Sequence, residues 1–83
     1  MKYEFLPHAR KRMAERTISR KLVIDALRFP TKISSNRQGR QLIKKLYTGK
    51  RGVKRLLLVV IEVASDVIII ITVIDTSKVG KYL

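Results

Sequence analysis

The sequence predicts an α+β domain in which two N-terminal helices pack on an antiparallel sheet of about four strands. Two observations support this fold class. Residues 6–27 carry apolar side chains at helical spacing, whereas residues 56–63 and 67–74 are nearly continuous apolar runs rich in β-branched side chains. A chain of 83 residues with 46% hydrophobic content can bury one thin core, so residues 1–83 are expected to form one domain.

The first predicted helix follows a short alternating segment, residues 1–5, which fits an edge strand or an extended lead-in. Pro7 suits the first helical position because the N–H that proline lacks would have no intrahelical partner there. An apolar stripe at helical spacing then marks the buried side of this helix. The stripe consists of Leu6, Ala9 and Met13.

A second predicted helix begins after residues 17–19 interrupt the first one. Ser19 is a suitable N-cap, because its hydroxyl can accept a hydrogen bond from a backbone N–H of the first turn. Ile18 before the cap and Val23 after it are spaced for a hydrophobic staple. Pro30 ends the helix at or before the preceding residue, since proline disfavours helical backbone on its N-terminal side.

Strands follow from residue 32 onward, where the helical period disappears. The density of apolar residues in the last two strands places them in the centre of the sheet, covered on both faces. The predicted order is a strand over 32–35, a turn over 36–39, a strand over 40–47, a hairpin loop over 48–52, strands over 56–63 and 67–74 joined at 64–66, and a polar, basic tail over 75–83.

The chain is strongly basic, with 19 Lys and Arg against 6 Asp and Glu, which gives a net charge of +13. Such a charge attracts polyanions and makes the folded chain repel itself. Nucleic acid, an acidic protein, or both at different times are therefore the expected partners.

Several function classes are disfavoured by residue types that are missing or scattered. The chain has no cysteine, which excludes disulfides, zinc–thiolate sites and cysteine nucleophiles and suits a cytoplasmic location. With one histidine and scattered carboxylates, no metal site and no cofactor are expected. No membrane association is expected either, because the start lacks the form of a signal peptide and Glu62, Ser65 and Asp66 interrupt the longest apolar stretch.

The row His8, Arg12 and Arg16 is the first candidate site. These residues follow one another at intervals of one helical turn and approach the edge of the apolar stripe, so we expect them at the seam between helix and sheet, where a cleft could form. Two guanidiniums can bind a phosphate through bidentate hydrogen bonds, and an imidazole can transfer a proton. The alternative is a solvated basic helix edge, since basic residues four apart are common on helices.

The C-terminal residues form the second candidate site, directly after a predicted central strand that would hold them rigidly. A tyrosine or a hydroxyl can position a ribose or a base, and a lysine can stabilise a pentavalent phosphate. The alternative is an ordinary charged tail in which the tyrosine caps the core. The cluster consists of Thr76, Ser77, Lys78, Lys81 and Tyr82.

The third candidate is a surface around the predicted hairpin loop that contacts phosphates, giving affinity for nucleic acid without sequence specificity. The alternative is that these cations keep strand edges soluble and prevent edge-to-edge pairing. The predicted RNA-binding residues are Arg37, Arg40, Lys44, Lys45, Lys50, Arg51, Lys54 and Arg55, together with Ser77 in the tail.

Residues 7–19, with the sequence PHARKRMAERTIS, resemble the opening of a small prokaryotic family classed as a domain of unknown function, family 4258. Residues 72–74, 76–78 and 81–82 resemble the end of that family. Relatives often have a capping hydroxyl where this chain has Leu6 and a glycine where it has Thr17. Both departures concern helix ends, because glycine suits a left-handed C-cap and threonine does not.

The resemblance implies a fold similar to that of the toxins RelE, ParE and BrnT of type II toxin–antitoxin pairs, with the element order α-α-β-β-β-β. Many such toxins are metal-independent ribonucleases that cut messenger RNA, often on the ribosome, and their usual partner is an acidic or amphipathic antitoxin. ParE-like relatives act on DNA gyrase instead. The matched positions of interest are His8, Arg12, Arg16, Ser77, Lys78 and Tyr82.

The leading hypothesis is therefore a toxin-like, metal-independent endoribonuclease. The RNA 2′-hydroxyl would attack the adjacent phosphate, leaving a cyclic phosphate and a 5′-hydroxyl, with His8 as general base or acid. Arg12, Arg16 and Lys78 would stabilise charge on the phosphate, and Tyr82 would orient the nucleotide. The rival hypothesis is a non-catalytic basic module that binds RNA or a protein such as DNA gyrase.

Overall fold

Helices and strands form an α+β arrangement in the computed structural model, which describes residues 2–35 and 38–83. The two N-terminal helices precede the main strands, as the sequence predicts. The order along the chain is β1 (Lys2–Phe5), α1 (Pro7–Arg16), α2 (Arg20–Arg28), β2 (Lys32–Ser35), β3 (Arg40–Thr48), a 3-10 turn (Lys50–Gly52), β4 (Lys54–Ala64), β5 (Val67–Thr76) and α3 (Val79–Tyr82).

The strands of the described residues form one five-stranded mixed sheet in the order β1-β5-β4-β3-β2. The pairs β2–β3, β3–β4 and β4–β5 are antiparallel, whereas β1 pairs in parallel with the first part of β5, from Lys2 opposite Val67 to Phe5 opposite Ile70. The prediction of about four antiparallel strands is corrected to five strands in a mixed sheet. The edge-strand alternative for the N-terminus is the one that the structure shows.

The predicted helix boundaries are confirmed. Pro7 is the first residue of α1, and the Ser19 hydroxyl accepts a hydrogen bond from the N–H of Leu22 at 3.0 Å, so it caps α2. Helix α2 ends at Arg28, two residues before Pro30. Between the helices, Thr17 adopts the left-handed conformation with φ 55° and ψ 43°.

Both helices pack on one face of the sheet. Alternate residues of β4 belong to the same buried cluster as residues of α1 and α2, so these side chains define the helix-covered face. This core includes Ala9, Val23, Ala26, Leu57, Val59 and Ile61. The intervening Leu56 and Leu58 point to the opposite face and are also buried, since α3 packs against β4. Strand β4 is therefore central and covered on both faces, as its apolar run predicts.

The connections agree with the sequence except in the tail. Strand β4 ends at Ala64 and β5 begins at Val67, which confirms the turn at 64–66, and the 3-10 turn joins β3 to β4 within the predicted hairpin loop. Of the predicted turn over 36–39, Asn36 and Arg37 lie outside the described residues. The tail was predicted to begin at residue 75, but β5 continues to Thr76 and α3 follows it. None of the helices in the described ranges has the length and hydropathy that a membrane crossing requires.

Candidate functional site

Two residues of the predicted row on α1, Arg12 and Arg16, lie at the seam between helix and sheet, whereas His8 lines none of the main cavities of the described residues. His8, Arg12 and Arg16 are all exposed, and Arg12 and Arg16 line a shallow cavity of about 140 Å³ together with Val73 and Asp75 of β5. Within residues 2–35 and 38–83, neither arginine forms an ion pair. The cleft expected at this position is therefore present, and two unpaired guanidiniums face it.

A larger cavity of about 510 Å³ lies beside this seam, between the α1–α2 junction and the β3–β4 hairpin. We call it the basic pocket. Arg16 lines both cavities, which places them next to each other. The basic pocket is lined by three cations, a half-buried tyrosine, a carboxylate and several neutral side chains. The polar members are Arg16, Thr17, Ser19, Tyr47, Thr48, Lys50, Arg55 and Asp75.

Asp75 connects two residues of the basic pocket from neighbouring strands. Its side chain is only 10% exposed, and it accepts hydrogen bonds from Arg55 Nε at 3.1 Å to Oδ1 and 3.0 Å to Oδ2. Arg55 Nη2 lies 2.9 Å from Oδ2, and Tyr47 donates its phenolic O–H to Oδ1 at 2.5 Å. The buried carboxylate is thus fully engaged, as a charge in such a position must be. Arg55 Nη1 has no partner among the described residues.

The protonation states within this network follow from burial and from the charge on Asp75. Burial raises the pKa of Tyr47 to about 12, and the hydrogen bond to Asp75 and its negative charge act in the same direction. The pKa of Arg55 is also raised, chiefly by its hydrogen bond with Asp75. At neutral pH Tyr47 is therefore a phenol that donates to a carboxylate, and Arg55 is a fixed cation.

Gly49 gives Arg55 the space that it occupies. A Cβ atom on Gly49 would lie 2.8 Å from Arg55 Cδ, well inside van der Waals contact. Because two hydrogen bonds and an ion-pair contact hold the guanidinium to Asp75, the side chain could not yield without losing some of them. Glycine at this position is therefore explained by the placement of Arg55, and not by backbone conformation, since its φ is −81°.

The other cations predicted to bind RNA are distributed over several surfaces. Lys50 lines the basic pocket, and Arg51 is exposed beside it in the 3-10 turn. Lys45 donates to the carbonyl oxygen of Phe29 at 2.7 Å and so caps the C-terminus of α2, while Lys54 lies 3.4 Å from the Thr48 hydroxyl.

Two further members of the predicted RNA-binding surface lie elsewhere, and a third is outside the described residues. Lys44 pairs with Leu58 and faces away from the two N-terminal helices. Arg40 is exposed at the start of β3, and Arg37 lies outside the described residues. Of the eight cations predicted around the hairpin, the structure brings Lys50 and Arg55 into the basic pocket with Arg16.

The C-terminal candidates divide between the turn after β5, which follows Asp75 of the α1 cavity, and helix α3. Helix α3 packs against β4, and Lys32 donates to the Leu83 carbonyl oxygen at 3.3 Å. Lys32 alternates with Ile33, which pairs with the core residue Ile43, so Lys32 faces away from α1. Tyr82 therefore belongs to the opposite side of the sheet from His8. Ser77 and Lys78 are exposed in the turn after β5, where the Lys78 N–H donates to the Thr76 hydroxyl.

Two residues of the basic pocket, Tyr47 and Asp75, were not among the predicted site residues. Asp75 offered a signal, because it directly follows the apolar run that becomes β5, and a carboxylate in a buried strand requires partners. The sequence does not identify those partners. Tyr47 and Arg55 are paired across β3 and β4, and this register places both beside Asp75. Among the described residues, no group of three His, Asp or Glu side chains is arranged to hold a metal ion.

Comparison with known proteins gives one match. The sequence model of a family described as a domain of unknown function (DUF4258) matches residues 5–75. This range contains α1, α2 and the strands up to Asp75 of the basic pocket, and it ends before α3. No curated protein and no solved structure matches the chain significantly.

Proposed function

We propose, for a chain that belongs to the DUF4258 family of domains of unknown function, a toxin-like endoribonuclease that cleaves messenger RNA without a metal ion. One observation carries this proposal: Arg12 and Arg16 are exposed and unpaired among the described residues, and both line the cavity between α1 and β5. Two guanidiniums one turn apart can hold the non-bridging oxygens of one phosphodiester and neutralise the charge that develops on it.

His8 is the proposed proton-transfer group. It is the one histidine of the chain, and it lies one turn before Arg12, about 6 Å along the axis of α1. In the proposed reaction the RNA 2′-oxygen forms a bond to the adjacent phosphorus as the bond to the 5′-oxygen breaks. The imidazole accepts the 2′-hydroxyl proton while solvent water protonates the leaving 5′-oxygen, or it protonates that oxygen while solvent water takes the 2′-hydroxyl proton. The products are a cyclic phosphate and a 5′-hydroxyl.

The family resemblance also implies a RelE/ParE-like fold, an RNA target and an acidic antitoxin, and we include all three in the proposal. Two N-terminal helices on one face of a sheet fit a RelE/ParE-like arrangement, to which β1 adds an edge strand. The net charge of +13 fits ribosomal or messenger RNA as target and an acidic antitoxin as inhibitor, both in the cytoplasm. Tyr82 has no role in this proposal, because α3 packs on the side of the sheet away from α1.

The decisive experiment incubates the purified protein with a mixed RNA substrate in EDTA, with and without ribosomes. We expect cleavage by the wild type. His8→Ala should lower turnover about 100-fold or more with little change in RNA affinity, whereas Arg12→Ala and Arg16→Ala should lower both. Arg10→Ala is the matched control, because Arg10 is exposed on another side of α1 and lines a separate cavity with Phe5 and Met13. RNA that stays intact under both conditions would contradict the proposal.

A non-catalytic binding module is the second candidate, and one observation favours it. Cations are exposed on several surfaces, among them Arg40 and Arg51 away from the α1 row, and such a surface binds a polyanion without any catalytic group. On this alternative, His8→Ala would change neither affinity nor RNA integrity. The arginine variants would weaken binding to RNA, or to a protein target such as DNA gyrase, in proportion to the charge removed.

A further inference from the structure

The basic pocket, which shares Arg16 with the α1 row, has the features of a prepared anion site. Its floor holds a carboxylate that is 10% exposed and is bound by a guanidinium and a phenol. Two of the three cations around it, Arg16 and Lys50, have no ion pair among the described residues. A ligand that lies against these groups would meet two unneutralised positive charges and the Nη1 edge of a third cation.

We propose that the basic pocket binds a second phosphate of the RNA strand, next to the phosphate held by Arg12 and Arg16, and that Asp75 and Tyr47 position Arg55 for this contact. The inference rests on the proposed function for the identity of the polymer. Arg16 lines both cavities, so a strand that passes along α1 reaches the basic pocket at a neighbouring nucleotide. By binding one phosphate, the basic pocket determines which neighbouring phosphate of the strand lies beside Arg12 and Arg16 for cleavage.

The role of Asp75 follows from the geometry of its bonds. It accepts from Nε and Nη2, which fixes the plane of the guanidinium and leaves Nη1 for a ligand. An arginine whose side chain is already ordered loses less entropy when it binds a phosphate. Tyr47 supports the same arrangement, because its O–H holds the other side of the carboxylate and stays protonated. Asp75 and Tyr47 are therefore positioning residues, and Arg55 is the residue that contacts the ligand.

For Asp75→Asn, a positioning role of Asp75 and a plain basic surface predict opposite changes in affinity for a polyanion. Asp75→Asn removes one negative charge from the basic pocket, which should strengthen the binding of any polyanion if charge alone matters. If Asp75 positions Arg55, the same change releases the guanidinium and weakens binding. Asp66→Asn is the matched control, because Asp66 is exposed in the β4–β5 turn, at the other end of the sheet from Asp75.

The probe is a fluorescent single-stranded 2′-O-methyl RNA oligonucleotide, which lacks the attacking hydroxyl, so its affinity is measured without cleavage. We expect Asp75→Asn to weaken binding about three- to tenfold and Arg55→Lys about tenfold, since lysine lacks the planar fork. Tyr47→Phe should weaken it by a smaller factor, and Asp66→Asn should leave it unchanged or slightly tighter. If Asp75→Asn does not fold, Tyr47→Phe and Arg55→Lys decide the question.

Tighter binding by Asp75→Asn, or unchanged binding by folded Arg55→Lys and Tyr47→Phe, would overturn the inference. Its failure is distinguishable from failure of the proposed function. A protein that cleaves RNA but is insensitive to the pocket variants retains the function without the second phosphate site. A protein that never cleaves RNA but responds as expected retains the site without the reaction. Where cleavage occurs, Arg55→Lys and Tyr47→Phe, which change residues outside the cavity of Arg12 and Arg16, should raise KM with little change in kcat, whereas His8→Ala should lower kcat.

Discussion

Burial and a neighbouring carboxylate together hold the phenolic proton of Tyr47. Its pKa is raised to about 12 by burial, by the hydrogen bond to Asp75 and by the charge of that carboxylate. Because the folded state holds the phenolic proton more tightly than the unfolded chain does, this stabilisation is fully present below pH 10 and is lost as pH rises toward 12.

The first prediction concerns this loss of stability at alkaline pH. The free energy of unfolding of the wild type should fall between pH 10 and 12 by about 1–2 kcal/mol more than that of Tyr47→Phe, a figure reduced for the partial exposure of the side chain. Urea unfolding at intervals of half a pH unit measures the difference. Tyr3→Phe is the control, since Tyr3 lies on β1, across the sheet from β3. Parallel curves for the wild type and Tyr47→Phe would refute the assigned shift.

A second residue-scale prediction concerns Thr17. A β-branched residue in the left-handed region, with φ 55°, is strained by about 1–2 kcal/mol, and glycine relieves that strain at some cost in chain entropy. We expect Thr17→Gly to raise the free energy of unfolding by about 0.5–1 kcal/mol, and Thr17→Ala to raise it less. Thermal unfolding checks both. A loss of stability in Thr17→Gly would show that the threonine side chain makes a compensating contribution.

At the residue scale, the sequence predicts the α1 row but not the network of Tyr47, Arg55 and Asp75. His8, Arg12 and Arg16 lie on one helix, where the fixed helical period determines which residues are neighbours. The network depends instead on the register of three strands, and a shift of one residue would turn every side chain to the other face. Sequence periodicity does not determine that register, so the basic pocket becomes visible only in the structure.

At the scale of elements, the N-cap of α2 orders the chain that borders the basic pocket. Ser19 lines the basic pocket and accepts from the Leu22 N–H at 3.0 Å, while Ile18 and Val23 on either side of the first turn are buried. Predicting this cap from the sequence succeeded because capping depends on local spacing alone. The cap also positions the α1–α2 junction, where Arg16 lies.

The third prediction tests that cap. Ser19→Ala should lower the free energy of unfolding by about 1 kcal/mol, equivalent to roughly 4–8 °C in Tm for a domain of this size. Ser77→Ala is the control, because Ser77 is exposed and its side chain forms no hydrogen bond with a described residue. Differential scanning calorimetry measures both variants. Equal Tm values for Ser19→Ala and the wild type would exclude a stabilising role for the cap.

Strand β1 and helix α3 mark the limit of sequence-based prediction at this scale. Four residues of alternating pattern fit either a strand or an extended lead-in, and the partner of β1, the start of β5, lies at the other end of the chain. Parallel strands so far apart in the sequence pair only when the elements between them have folded, so the pairing leaves no local signal. Helix α3 has four residues, one of them Gly80, too few for a periodic signal.

At the scale of the whole molecule, the net charge of +13 destabilises the folded state and at the same time favours the binding of a polyanion. Like charges that repel one another in the free protein are the charges that attract a polyanion. The cations of the proposed site are among them, since Arg12, Arg16 and Lys50 have no ion pair within the described residues. Repulsion among these unpaired cations destabilises the free protein, and the proposed ligand would neutralise the same cations.

The fourth prediction follows from these two effects of the net charge. Added salt should raise the free energy of unfolding, on the order of 1 kcal/mol between 50 and 500 mM, because it screens self-repulsion. The same salt should weaken binding of single-stranded RNA, with a slope of log Kobs against log salt of about −1.4 if the two cavities together neutralise two phosphate charges. Chemical unfolding and fluorescence anisotropy, measured over one salt series, give the two trends.

Two triple variants separate the site from the overall charge. Replacing Arg12, Arg16 and Lys50 by alanine should make that slope shallower by about 1, and should stabilise the protein at low salt. Replacing Lys2, Lys11 and Lys81, which are exposed outside the two cavities, should stabilise it similarly while leaving the slope nearly unchanged. Equal slopes for the two variants would mean that RNA binds to the charge of the whole surface, and the two cavities would then have no special part in recognition.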